Sequence, residues 1–387
     1  MLEQDFAVIE KRKWGNNDEE DLDSREELKA SLSDEECKYP MYNIKVEKGF
    51  YTVFELKRKY DNANRRIVLD SDFQRSDVWT LTQKAELVES IFMGLPLPIF
   101  YFNQDKLGRL IVVDGRQRLT ALFEFMSDKW ALKGLKVLKE LNGKKFSDFE
   151  PLLQSQIEDY QIQAHVIQPP TPDRIKFDIF DRVNRAGTQL NKQEIRNALY
   201  QGKSTKLLKD IAKTEIFKTA TDKAFVNSTR MKDKYIVLRF LAFKFYLDSK
   251  EKIFGRDYKY TDDIDELLGL TMEKINEMAD EKIAQIYQYT VRALENTVEI
   301  IGENAFRLEY VNGKRSPINM NVFEVLMYMM SKIERTDYVT QLVLQEKIQF
   351  LKKDVNFLDA IGNHRDNSKK VEKRFEMVNA ILEECGL

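Results

Sequence analysis

Leu110-Ile111-Val112-Val113-Asp114-Gly115-Arg116-Gln117-Arg118-Leu119-Thr120-Ala121-Leu122-Phe123 is the most informative stretch of this chain. Four apolar residues predict a strand. Asp114-Gly115 predicts a tight turn, and Leu119, Leu122, Phe123 and Met126 fall on one face of a helix from about Gln117 to Met126. A strand that runs through a glycine turn into a helix leaves the first helical amides without partners. Those N–H groups and the helix dipole together form an anion site. Gly115 is expected to let a ligand approach the main chain, and Arg116 and Arg118 add donors suited to phosphate. Gln117 can orient a water or contact a base or sugar. Asp114 can ligate Mg²⁺ or activate a water.

Upstream, Ile99 to Phe102 and Leu110 to Val113 read as a hairpin across the turn residues Asp105 to Gly108. A helix with Leu87, Val88, Ile91 and Phe92 on one face precedes it. Its expected cap is Thr82, and Gly94, Pro96 and Pro98 forbid its continuation. Ile67-Val68-Leu69 reads as a strand, and Tyr51 to Leu56 as the start of the folded part. Downstream, Gln161 to Ile167 reads as a strand and Asp173 to Asn184 as a helix. Asn191 with Glu194 forms a capping box for the next helix. Beyond about Thr205 prolines almost vanish, with Pro317 the only one left, and long helical periodicity takes over. The expected organisation is an acidic N-terminal segment over 1–45, an α/β domain over 46–204 and an all-α domain over 205–387.

Two further polar clusters lie at element ends: Phe73-Gln74-Arg75-Ser76, and Asp181 to Thr188, which contains Asn184 and Arg185. Three such clusters can converge on one phosphate-bearing ligand. Taken singly, each is equally well read as a surface turn with cheap ion pairs. Phe177, Phe180, Phe240, Phe243 and Phe245 sit at helical spacings that core packing explains better than base stacking. Arg230, Lys232, Lys234, Arg239 and Lys244 read as a solvated helix face or a DNA-facing stripe. Arg365, Lys369, Lys370, Lys373 and Arg374 read as a denser basic cluster that meets phosphates or the acidic N-terminal segment.

Composition narrows the choices. A net charge of −2 makes any nucleic-acid contact a matter of local patches. With 2 cysteines and 2 histidines (His165 and His364), a zinc site, a Cys-His nucleophile pair and an HNH nuclease centre are poorly supplied. No apolar run approaches the ~20 residues needed to span a bilayer, and the start of the chain lacks a secretory pattern. A cytoplasmic protein without membrane contact is expected.

The ordered series Asp72-Phe73-Gln74-Arg75, Val78-Trp79, Lys84, Gly94-Leu95-Pro96-Leu97-Pro98 and Asp114 to Ala121 resembles the GmrSD restriction endonuclease N-terminal domain family. So do Asn184 to Leu190 and Glu194-Ile195-Arg196-Asn197-Ala198. The resemblance spans about residues 50 to 245. It implies a ParB/sulfiredoxin-like α/β core that binds, and in several members hydrolyses, nucleoside triphosphates through a DGQQR-type motif in systems that attack phage DNA. Arg116 stands where glutamine is commoner. Carried over, Asp114, Gln117 and Arg118 are the expected catalytic residues. Gln74, Arg75, Gly115, Arg116, Asn184 and Arg185 are the expected nucleotide or phosphate ligands, and Asp114 is the Mg²⁺ ligand. The expected partners are a nucleoside triphosphate, DNA, and a partner nuclease or a second copy, in a standalone member lacking the HNH domain. The alternative is a non-catalytic ParB-like module that regulates a partner nuclease.

Overall fold

The computed structural model describes residues 44–62, 66–69, 79–184, 191–226, 230–248, 253–255, 258–308, 315–334 and 336–387. The expectations for the acidic segment up to residue 43, for Gln74 and Arg75, and for Arg185 lie outside them. So does the side chain of Asn184. Chain contacts divide the protein into two units that meet between Gln201 and Gly202.

The first unit is built on a five-stranded mixed sheet: β1 (Lys45–Thr52), β2 (Ile67–Val68), β3 (Phe100–Gln104), β4 (Leu110–Asp114) and β5 (Gln161–Gln168), in the order β1-β5-β3-β4-β2. β3 and β4 form the expected antiparallel hairpin. Asp105 closes it by accepting the N–H groups of Leu107 and Arg109 at 2.9 and 2.8 Å. β5 lies parallel to β3 and antiparallel to β1. The helices are α1 (Val53–Asp61), α2 (Leu81–Phe92), α3 (Arg116–Met126), α4 (Pro151–Glu158), α5 (Asp173–Asn184) and α6 (Lys192–Leu199). Strand alternation sorts the core into two layers. Phe100, Phe102, Leu110, Val112, Ile162, Ala164 and Val166 pack with buried residues of α1 to α4. Val113 and Ile167 face the other way, against Phe180, Ile195 and Leu199 of α5 and α6.

Two boundaries differ from expectation. Thr80, not Thr82, caps α2: its hydroxyl accepts the Gln83 N–H, and the Gln83 side chain accepts the Thr80 N–H at 2.9 Å. Residues 51 and 52 end β1 and the helix begins at Val53, because Thr52 accepts the Glu55 N–H at 3.0 Å. The Asn191–Glu194 capping box forms as expected.

The second unit is helical: α7 (Lys203–Ala212), α8 (Glu215–Ala220), α9 (Lys232–Leu247), α10 (Ile264–Glu277), α11 (Asp280–Asn296), α12 (Met320–Lys332), α13 (Tyr338–Leu351), α14 (Val355–Ile361) and α15 (Ser368–Glu384). A buried ion network ties four distant stretches together. Arg239 of α9 donates to Glu324 of α12 at 2.8 Å, to Asn321 at 3.2 Å and to Asp366 at 2.7 Å. Arg374 of α15 donates to the second Glu324 oxygen and to the Arg365 carbonyl. The Tyr260 hydroxyl donates to the Asp366 carbonyl at 2.6 Å. Burial works against the charge on Arg239, and Asp366 and Glu324 more than offset it, so its pKa rises. This corrects the sequence readings of the basic stretches at three of their arginines. Arg239 and Arg374 are fully buried and Arg365 nearly so, so none of the three is on a solvated face or free for phosphate. The expectation that the phenylalanines build core holds: Phe180, Phe240, Phe243 and Phe245 are buried, and Phe177 packs on the second layer.

Removing one member of such a network leaves the others as uncompensated buried charge. Glu324→Ala is expected to destabilise the protein by about 3–5 kcal/mol in urea unfolding. A loss below about 1 kcal/mol would show that the two arginines find other partners. Lys352 offers a pH test. Burial, opposed in part by Asp222, pushes its pKa down from 10.5 to about 8. Between those values the unfolded chain binds more protons than the folded one, so this group makes stability rise with pH. Lys352→Met should therefore out-stabilise the wild type most below pH 8. The advantage should shrink by up to about 3 kcal/mol by pH 10.5. A difference that stays flat with pH refutes it.

Candidate functional site

Five residues of the motif sit where β4 runs into α3. Asp114 is the last residue of the strand. Gly115 is the helix N-cap at φ 96°, and α3 begins at Arg116 with no side chain capping it. Gly115, having no side chain, cannot itself cap the main-chain N–H groups of the first turn.

Gly115 is required by packing as well as by its positive φ. A Cβ there would lie 2.1 Å from the Phe100 ring of the neighbouring strand. The space expected to admit a ligand is filled by Phe100, so Gly115 can contribute only its main chain to a bound anion.

Arg118 is committed to three contacts. It donates to the Asp114 carboxylate at 2.9 Å and to the Pro98 carbonyl, and its guanidinium lies 4.1 Å from the centre of the Phe100 ring. The side chain is only 11% exposed. Burial lowers its pKa, and Asp114 partly restores it. The Pro98 carbonyl is held in turn. The Tyr160 hydroxyl donates to the Leu95 carbonyl at 2.8 Å and accepts the Leu97 N–H at 3.1 Å, fixing the Leu95-Pro96-Leu97-Pro98 run that enters β3. Phe100, Pro98 and Tyr160 were missed as parts of this site. Only the Leu-Pro-Leu-Pro spacing hinted at them.

Asp114 remains accessible, with 41% of its side chain exposed. One carboxylate oxygen takes the Arg118 bond, and the other accepts no hydrogen bond among the described residues. Gln117, half-buried one residue into the helix, likewise makes no side-chain hydrogen bond there. A single open carboxylate oxygen suits Mg²⁺, which is commonly held by one or two carboxylates with phosphate and water completing its shell. Among the described residues no group of three His, Cys, Asp or Glu is placed to bind a metal unaided.

Other residues of the sequence series have structural work. Lys84 of α2 pairs with Glu124 of α3 at 3.1 Å. Arg196 of α6 is fully buried, bonded to Gln193 at 2.6 Å and set 5.5 Å from the Phe177 ring centre. Beside it the Asn197 carboxamide is 1% exposed, with no partner on either its oxygen or its nitrogen. His165 stacks edge-on against Tyr101 at 5.3 Å, as a packed residue rather than a ligand.

A strand–glycine–helix junction beside an open carboxylate oxygen has a geometry suited to an anion. Residues 53–201 match the family model of the GmrSD restriction endonuclease, N-terminal domain, so the α/β unit is similar to that domain. No curated protein and no solved structure matches the chain. Among the described residues no helix is long and apolar enough to cross a membrane.

The packing of Phe100 on Gly115 makes a direct prediction. Gly115→Ala should cost about 2 kcal/mol or more in urea unfolding, from the strained φ and the ring displacement together. A loss under about 0.5 kcal/mol would mean that the junction relaxes freely.

Proposed function

We propose that the α/β unit binds a nucleoside triphosphate at the β4–α3 junction and hydrolyses it as part of a system that restricts invading DNA. The observation that carries this reading is the uncapped start of α3 beside the half-open carboxylate of Asp114. The N–H groups of the first turn of α3 cradle phosphate oxygens, aided by the helix dipole. Asp114 would hold Mg²⁺, and the ion would supply charge neutralisation on the phosphates. Gln117, with its carboxamide uncommitted, orients the attacking water. Arg118 acts as a positioning residue: its guanidinium, seated on Phe100, holds the half-open Asp114 carboxylate by an ion pair.

Arg116 and, from segments outside the described residues, Gln74, Arg75 and Arg185 are assigned to the phosphates, with Asn184 beside them. The ParB-like ancestry of the core belongs to the same proposal, and the mixed sheet with helices on both faces supports it. One observation favours the non-catalytic alternative: the arginine nearest the carboxylate is spent on the fold, which removes one cation from the transferred phosphoryl group.

The test is phosphate release from each common ribo- and deoxyribonucleoside triphosphate with Mg²⁺, with and without duplex DNA. Gln117→Ala is expected to keep nucleotide binding and lose about 100-fold or more in turnover. Asp114→Asn is expected to lose Mg²⁺-dependent binding as well. Nucleotide binding without release under any condition selects the regulatory module. No binding at all removes the site from the junction.

A further inference from the structure

Immediately after α3 the chain reads Lys129-Trp130-Ala131-Leu132-Lys133-Gly134-Leu135-Lys136-Val137-Leu138-Lys139-Glu140-Leu141-Asn142-Gly143-Lys144-Lys145. It holds six lysines against one carboxylate, in a protein whose net charge is −2. Leu132, Leu135, Leu138 and Leu141 recur every third residue and all pack into the core. Lys133, Lys136 and Lys139 follow them one position later, and all six lysines are exposed.

The acids around this loop bond its main chain, and among the described residues the ion pair that its lysines make is the one at Lys136. The Glu89 carboxylate accepts the Val137 and Leu138 N–H groups at 2.9 and 2.8 Å. Asp148 accepts the Lys145 N–H at 2.8 Å, and Asp128 accepts the Ser147 N–H at 3.0 Å. The Asn142 side chain accepts the Leu135 N–H at 3.0 Å, and Leu132 exchanges main-chain bonds with Gly143 and Lys144. Lys136 lies 3.7 Å from Glu86, with four-fifths of its side chain exposed, an ion pair of little worth in water. The leucine anchors and the carboxylate-held amides thus fix a loop whose six lysines are exposed. Lys129 and Lys133 rim a groove of 610 Å³ whose wall includes Leu81, Trp130 and Leu132.

We propose that this lysine loop, residues 129–145, is the surface on which the α/β unit docks the phosphate backbone of duplex DNA. Exposed cations on a fixed scaffold, with the four leucines turned inward and Val137 exposed among them, match a polyanion. An anionic membrane surface is the competing polyanion, and the vesicle arm of the test separates the two. Contacts of this kind fix register and carry no sequence information. The surface is separate from the motif site. It follows the C-terminal end of α3, and Asp114 precedes the N-terminal end, so an 11-residue helix, roughly 16 Å long, lies between. The choice of DNA rests on the restriction-system reading; the cation row does not.

The test uses the full chain and a Lys133→Gln/Lys136→Gln/Lys139→Gln variant, with folding checked by circular dichroism. Binding to a fluorescein-labelled duplex is followed by anisotropy across a salt series. The wild type is expected to bind at low salt. The variant is expected to bind about tenfold or more weakly, with the slope of log affinity against log salt flattened by about 2.7. Phosphate release from nucleotide without DNA is expected to be equal in both proteins. Equal duplex affinity and equal slope in variant and wild type overturn the proposal. So does a wild type that prefers phosphatidylserine vesicles or an acidic peptide to the duplex. If neither protein releases phosphate but the variant loses DNA, the hydrolysis reading fails and the loop assignment stands.

Discussion

The Arg118 guanidinium is the fastening on which the end of the sheet depends. It joins Asp114 on one strand, the Pro98 carbonyl before the next and the face of Phe100 between them. Without it the Asp114 carboxylate would lose its side-chain partner, and the start of α3 would be held to β3 only by strand pairing and the Phe100–Gly115 contact. The contact also explains why Gly115 stands next to Asp114. Phe100 can lie under the guanidinium only where the following residue has no Cβ. Arginine, glycine, proline run and phenylalanine are therefore one device. Its product is a carboxylate with one oxygen tied down and one left open.

Much of this was legible in the sequence. The β3–β4 hairpin, α3, α5 and the Asn191 capping box follow from periodicity and turn chemistry, because each is specified by residues close together in the chain. β1 was not legible: most of Lys45–Thr52 is exposed, so no apolar face marks it as a strand, and only its pairing with β5 does. The site was half legible. Asp114, Gly115, Gln117 and Arg118 stood out, but the role of Arg118 depended on Phe100 and Pro98, which reach it through tertiary packing. Arg239 and Arg374 misled because a charge in a sequence reads as surface unless its partners are visible. Theirs are 85 and 50 residues away. The lysine loop escaped notice for another reason. A three-residue alternation of leucine and lysine belongs to neither the helical nor the strand period.

Charge is used in two ways. In the lysine loop of the α/β unit carboxylates grip main-chain amides and the lysines stay exposed. In the helical unit cations and carboxylates are sealed together, and the gain is specificity of packing among helices that are otherwise apolar on nearly every side, such as α12.

That sealed network also sets an order in time. Arg239 leaves the ribosome long before Arg374, and Glu324 falls between them. Until α15 has been made, Glu324 has one of its two arginines and Arg239 lacks the Asp366 that accompanies the same stretch. A nascent helical unit therefore holds mismatched charges that resist burial, and it cannot close its core early around an incomplete set of helices.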